Sequence, residues 1–175
     1  MQPIIYDVAV SIDGFISGAG GDISIFATDG PVVDDYRKRL ETYTCAIMGR
    51  ATYEFGYRYG MRPGVNPYPN MQTFVFSNSL QLPTSSEVSV VARDGVTAIK
   101  RLRETQPGPI YLCGGGQFAG SLLELGLIDT VRLKRAPSFF GAGIRLFGDC
   151  AIKPSFHCVE TKNYENGYLY QSYKS

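Results

Sequence analysis

Apolar residues fall into two alternating patterns along the chain: short unbroken runs, and single positions three or four residues apart. The run from Ile4 to Val10 is too continuously apolar for a half-exposed strand and short enough to be a buried central one. It ends in the turn Ser11-Ile12-Asp13-Gly14, and a glycine-rich, irregular segment follows from Gly18 to Gly30. Val33, Tyr36, Leu40 and Tyr43 then recur at helical spacing with Arg37, Lys38, Arg39 and Glu41 between them, which predicts an amphipathic helix. Cys45 to Met48 reads as a second buried strand that passes through Gly49-Arg50 into a short helix at Ala51 to Glu54. Pro63, Gly64, Pro67 and Pro69 mark the next stretch as loop. Strands are expected at Thr73 to Phe76 and Val88 to Ala92, and a helix from about Gly95 to Thr105. The strand Ile110 to Cys113 runs straight into Gly114-Gly115-Gly116, beyond which Phe118, Ala119, Leu122 and Leu123 form the stripe of another helix. Thr130 to Leu133 is a further strand. Two runs, Phe156 to Tyr164 and Tyr168 to Tyr173, flank the hairpin signal Asn166-Gly167. Alternating strands and helices closed by a hairpin predict an α/β fold, a mostly parallel sheet with an antiparallel end.

Composition narrows the class. A chain of 175 residues with no repeat and no linker fits one domain, residues 1–175, with a single large core. The formal charge is +1 with 19% charged residues, so neither disorder nor a nucleic-acid-binding surface is indicated. No apolar run approaches the roughly 20 residues that span a bilayer, and the start lacks the basic and apolar regions of a signal peptide; a soluble, cytoplasmic protein is expected. Cys45, Cys113, Cys150 and Cys158 show no C-x-x-C spacing and read as buried, reduced thiols. With one histidine, no metal site is expected.

The candidate chemistry sits at strand ends. In a parallel sheet, ligands bind at the carboxyl ends of strands, where helix N-termini offer free N–H groups and partial positive charge. Gly114-Gly115-Gly116 lets backbone approach a phosphate or pyrophosphate before such a helix. Gly49-Arg50-Ala51-Thr52 combines a similar turn with a guanidinium and a hydroxyl. Ser77-Asn78-Ser79 is a polar turn, and Ser11 to Gly14 opens into the irregular segment. Singly, each is also what an ordinary turn looks like. Together they suit a dinucleotide with two phosphate attachment points, and Arg50 suits a 2′-phosphate, favouring NADPH over NADH. Gly114 to Ala119 also satisfies the Rossmann pattern G-x-G-x-x-A, but about 20 residues on, where an acidic ribose partner should lie, the chain has Lys134-Arg135.

Four motifs occur in the order of a known family: Val8 to Ile16 containing Ala9 and Ser11-Ile12-Asp13-Gly14; Ile47 to Glu54; Tyr111 to Gly116; and Leu123 to Asp129 with Pro137 to Phe147. The chain resembles the dihydrofolate reductase-like family, in particular the branch containing the reductase domain of bacterial riboflavin biosynthesis. That resemblance implies a central, mostly parallel sheet flanked by helices, NADPH as hydride donor, and a pyrimidine- or pteridine-like heterocyclic substrate. It places Ala9 and Ile16 against the nicotinamide, and Gly49, Arg50 and Thr52 around phosphate. Ser77 and Asn78 would flank the adenosine ribose and its 2′-phosphate, while Gly114, Gly115, Gly116, Gln117 and Phe118 take the pyrophosphate. Asp34 matches the carboxylate that grips the pterin in dihydrofolate reductases, with Asp35 beside it as a helix N-terminal charge, and Asp13 is the second candidate for the proton. The aromatic loop from Tyr53 to Tyr68 and the tyrosine-rich hairpin are open to two readings, a ring-stacking pocket or a homodimer surface. A non-catalytic NADPH-binding sensor is the alternative to a reductase.

Overall fold

The computed structural model describes all 175 residues. Its framework is an eight-stranded sheet. Six strands are parallel: β1 (Ile4–Val10), β3 (Cys45–Gly49), β4 (Gln72–Phe76), β5 (Ser89–Val91), β6 (Ile110–Gly114) and β7 (Thr130–Arg135). The hairpin β9 (His157–Asn163) and β10 (Leu169–Lys174) adds the antiparallel end, with β10 on β7, so the spatial order is β5-β4-β3-β6-β1-β7-β10-β9. Strand β1 lies between β6 and β7, and its unbroken apolar run follows from burial on both faces.

Odd and even positions of β1 face different layers. Ile4, Tyr6 and Val10 join a core with Ile99 and Leu102 of α3 (Gly95–Thr105) and Ala119, Leu122 and Leu123 of α4 (Gly116–Glu124). Ile5 faces the opposite layer with Ala46, Met48, Tyr111 and Val75, covered by Tyr36 and Leu40 of α1 (Pro31–Leu40) and Tyr53 of α2 (Arg50–Phe55). Helix α1 begins two residues before the apolar spacing shows it, because Pro31 occupies the first helical position, where no N–H is needed.

The pattern hides one element pair. Phe15–Gly18 is strand β2 and Gly143–Arg145 is strand β8, and they pair antiparallel as a separate ribbon. Both strands are short, and glycines surround the three residues of β8, so alternation had no length in which to appear. The aromatic loop is also largely core. Tyr53, Tyr57, Met61 and Tyr68 pack in the second layer, and Tyr53 Oη accepts from Gly64 N and donates to Val65 O. Only part of it meets either expectation: Phe55 lines a cleft at the strand ends, and Tyr59 is exposed. The four cysteines are unpaired, but of them only Cys45 is buried: Cys113 and Cys150 are half-buried, and Cys158 is exposed because β9 is the outermost strand and every one of its residues is open to solvent. No helix is long and apolar enough to cross a membrane.

Candidate functional site

A cleft of about 1050 Å³ opens at the carboxyl ends of the parallel strands. That is at or above the usual 300–1,000 Å³ range of small-molecule sites, which leaves room for a dinucleotide. One wall is the turn from β3 into α2, with Gly49, Arg50 and Thr52; the facing wall is the turn from β6 into α4, with Gly115, Gly116, Gln117 and Phe118. Ile16 and the β2–β8 ribbon close the third side. The two turns approach closely: a Cβ built on Gly115 would lie 3.0 Å from Thr52 Oγ1, and one on Gly49 would lie 3.3 Å from Phe118 Cβ. Phe118 stacks on Phe76 at 5.0 Å between ring centroids, which fixes its place in the wall. Gly114 has φ +134°, a conformation open essentially to glycine, as the chain leaves β6. The first-turn N–H groups of α4 have no acceptor within the helix and make an anion-ready end.

Gly116 is bare for a reason independent of any ligand. A Cβ there would sit 2.2 Å from the carbonyl oxygen of Arg145. The β8 segment therefore packs directly on the first turn of α4 and locks the ribbon to the α4 end of the cleft.

Arg50 stands at the cleft's rim, 45% exposed, and is already organised. Its Nε donates to Glu54 Oε1 at 2.9 Å and its Nη1 to Ser79 Oγ at 2.8 Å. Ser79, adjacent to the two residues singled out in the sequence, is thus the member of its turn that touches the guanidinium. Ser77 and Asn78 do not line the cleft. Ser77 Oγ accepts from Ser79 N and Leu80 N, and Asn78 Oδ1 accepts from Arg93 N, so both side chains hold the turn that presents Ser79.

A second cavity, about 240 Å³, lies beside the first, and both are lined by Val8 and Cys113. Ala9 belongs to this second cavity, together with Phe26, Val33, Tyr36, Tyr111 and Tyr168. Its polar residues are Asp7 and Lys134, neither singled out from the sequence. Asp7 is fully buried. Lys134 Nζ donates to Asp7 Oδ1 at 2.9 Å, Arg39 Nε to Oδ2 at 2.7 Å, Arg39 Nη2 to Oδ1 at 3.3 Å and Tyr43 Oη to Oδ2 at 3.1 Å. Burial pushes the Asp7 carboxyl up, but Lys134 and Arg39 together outweigh it and hold it below the usual range. Burial lowers the Lys134 ammonium despite Asp7. Tyr36 and Tyr111 share a 2.6 Å hydrogen bond, and burial raises both phenols. A signal for Asp7 was present: it is a charge inside an apolar strand run, and such charges are almost never buried unpaired, whereas Lys134, between Leu133 and Arg135 in a strand that also carries Arg132, has no such signal. What the sequence withholds is the register, which pairs Ala9 with Lys134 and so sets Lys134 two positions from Asp7 on the same face.

Neither carboxylate expected to handle the proton reaches these cavities. Asp34 lies on the outer side of α1, its side chain 57% exposed and bonded to Arg37 Nη1 at 3.2 Å, because the apolar stripe that turns inward is offset from it. Asp35, the neighbour set aside as a helix charge, instead bonds Lys162 and Tyr164 and ties α1 to the hairpin. Asp13 is an exposed clamp: its carboxylate accepts from Ser11 Oγ at 2.6 Å, Phe140 N at 3.2 Å and Gly141 N at 2.8 Å. The Ser11 hydrogen bond first, then the two backbone amides, hold it below the usual carboxylate range. Asp13 thus shapes the cleft indirectly, through the loop that carries Gly141. Asp13→Ala should speed amide exchange at Phe140 and Gly141 at least tenfold while leaving exchange in β1 unchanged; unchanged protection at those two amides would show that the clamp is idle.

The comparisons agree with this architecture. Uncharacterized protein YyaP of Bacillus subtilis (strain 168) is 24% identical over 176 residues, covering 94% of this chain and 90% of the relative. A Shewanella sp. PV-4 crystal structure, named for riboflavin biosynthesis, matches at TM-score 0.82 and 22% identity, covering 99% of this chain and 98% of the other. Dihydrofolate reductase from Enterococcus faecalis, solved in complex with NADP(H) and RAB-propyl, matches at TM-score 0.66 and 18% identity over 98% and 95% of the two chains. The sheet is therefore of the dihydrofolate reductase type. The model of the RibD C-terminal domain matches residues 2–170, nearly the whole length, and the chain belongs to that family.

Proposed function

We propose that the protein is an NADPH-dependent reductase of a pyrimidine- or pteridine-like ring. The observation that supports this most directly is one cleft joining both strand-to-helix turns and meeting a second, ring-sized cavity at Val8 and Cys113. The bare turn at Gly115 and the open end of α4 fit a pyrophosphate, and Arg50 with Ser79 fits a 2′-phosphate. When bound, the cofactor supplies hydride from C4 of its nicotinamide. Val8 and Ile16 present apolar surface where the nicotinamide would lie, and the Cys113 side chain borders both compartments. Burial raises the Cys113 thiol, so it stays protonated and packs as a small apolar group. The protein's task is to hold the two rings face to face and keep water out.

The alternative, a cofactor-binding protein without turnover, draws on one observation: Asp34 and Asp13 stand outside both cavities, and every lone pair direction of Asp7 is engaged. Loss of 340 nm absorbance with 7,8-dihydrofolate or menadione separates the readings. Oxidation of NADPH is expected, whereas tight binding with no oxidation by either acceptor favours the sensor.

Arg50→Ala should weaken NADPH binding by about 1.5–3 kcal/mol, roughly tenfold to a hundredfold, since a charge-assisted hydrogen bond is lost. Fluorescence titration should show NADH affinity changed less than threefold. Equal losses for both nucleotides would move the 2′-phosphate away from Arg50.

A further inference from the structure

The second cavity holds an imbalance of charge. Around it, one carboxylate, Asp7, faces two cations, Lys134 and Arg39, so one positive charge is uncompensated. Both oxygens of Asp7 are saturated: Oδ1 takes Lys134 and Arg39, and Oδ2 takes Arg39 and Tyr43. Nothing acidic remains there to balance the excess.

Lys134 also has unspent donors. Its ammonium carries three N–H bonds, and the bond to Asp7 is the one hydrogen bond it makes, although the residue is only 7% exposed. The ammonium lies 3.4 Å from the centroid of the Tyr36 ring, which offers a π face and no lone pair. Buried polar groups are normally satisfied, so a buried ammonium with donors to spare, lining a cavity, marks a place for an acceptor. The remaining walls are apolar and aromatic, among them Ala9, Tyr36, Tyr111 and Tyr168. At about 240 Å³ the space is below the range for drug-sized ligands and suits a single planar ring system.

We propose that the second cavity binds a planar heterocycle in its anionic form, an imide- or enolate-type ring whose charged oxygen or nitrogen pairs with Lys134. This rests on the reductase reading, in which the same cavity receives the acceptor ring. The Asp7–Arg39 pair keeps Lys134 in position without neutralising the site, and Tyr36 and Tyr111 cover the ring. The groups facing Lys134 are Asp7 from β1, Tyr36 and Arg39 from α1, Cys113 from β6 and Tyr170, its register partner, from β10. None of them except Asp7 supplies negative charge near neutral pH, because burial raises the phenols and the thiol. Burial lowers the Lys134 ammonium in the empty site, and a bound anion would favour its charged form.

The test uses lumazine, a pteridine-dione with ionisable ring N–H groups, and 1,3-dimethyllumazine, which cannot ionise there. Both are titrated by absorbance across pH into wild type and Lys134→Met saturated with NADP⁺. Wild type should lower the apparent ring N–H pKa of lumazine by about one unit or more and bind it at least tenfold tighter than the dimethyl ring, the equivalent of a 1.36 kcal/mol step. In Lys134→Met the pKa shift and the preference should both disappear. That variant leaves Asp7 with Arg39, a neutral pair, and Lys134→Gln serves as a second version. A wild type that binds lumazine as the neutral ring, or does not bind it, overturns the proposal, as does a preference that survives in both variants. NADPH titration, read by fluorescence, tests the reductase reading separately: wild type that fails to bind NADPH removes that reading, whereas normal NADPH binding with a failed lumazine arm removes only this one.

Discussion

Asp7→Ala should lower the unfolding free energy by about 3–5 kcal/mol, the largest loss expected from any single polar substitution here. The side chain is fully buried and accepts from three residues, so its removal leaves Arg39 and Lys134 facing each other across a void. Lys134 can relieve part of the repulsion by giving up its proton, since burial already lowers it. Arg39 cannot, and most of the cost falls on its guanidinium, whose side chain is 17% exposed and stacked on Tyr170 at 4.5 Å. Urea denaturation should show an earlier midpoint with an unchanged slope, and the melting temperature should fall by roughly 10 °C, at about 2–4 °C per kcal/mol for a chain of this size.

The pH dependence gives a second signature with a definite sign. Because the folded Asp7 carboxyl titrates below its unfolded value of 3.8, its contribution is fully present above about pH 4 and lost as pH falls through the lower folded value. Wild type should therefore lose stability steeply in acid, and the difference between wild type and Asp7→Ala should shrink below pH 4. Asp7→Asn keeps the shape and removes the charge, so it should recover little of the loss. If Asp7→Asn is as stable as wild type at neutral pH, the cluster is held by packing and not by charge.

Asp7 also illustrates what a linear pattern conceals. The strands β1, β3 and β6 are legible because each must be apolar on both faces, and such runs are visible at any register. The residues of the larger cleft are legible for a related reason: glycines and a guanidinium at strand-to-helix turns are local signals, and Gly49, Arg50, Thr52 and Gly115 to Phe118 do converge on one cleft. The second cavity is not local. Asp7 and Lys134 are 127 positions apart in the chain, and only the β1–β7 register makes them neighbours. Asp34 misleads for a different reason: its place near the start of a helix matches a ligand group, while the apolar stripe of Val33, Tyr36 and Leu40 on that helix turns it outward. A polar residue such as Ser77 or Asn78, attractive as a ligand group, can equally be consumed in building its own turn, and only the hydrogen bonds distinguish the two.

Gly116→Val should be the most damaging change in the larger cleft. A Cβ at this position meets the Arg145 carbonyl oxygen at 2.2 Å and the Gly148 nitrogen at 3.1 Å, and both are backbone atoms that move only if the whole β8 segment moves. Two further methyl groups leave no rotamer that avoids the contact. Overpacking of this kind costs about 1–3 kcal/mol, and backbone on both sides puts this case at the upper end. The strain can be relieved only by lifting the first turn of α4 or by peeling the β2–β8 ribbon from the cleft wall. Either movement opens the end of the cleft where the free N–H groups of α4 converge, so NADPH affinity should fall at least a hundredfold together with stability. Gly126→Ala provides the contrast: it lies just past the other end of α4, with nothing within 4 Å of a built Cβ, and its φ of +64° should cost stability alone. Fluorescence titration with NADPH, run beside thermal denaturation, therefore reads the two effects apart. Retained NADPH affinity in Gly116→Val would mean that the open end of α4 does not bind the pyrophosphate.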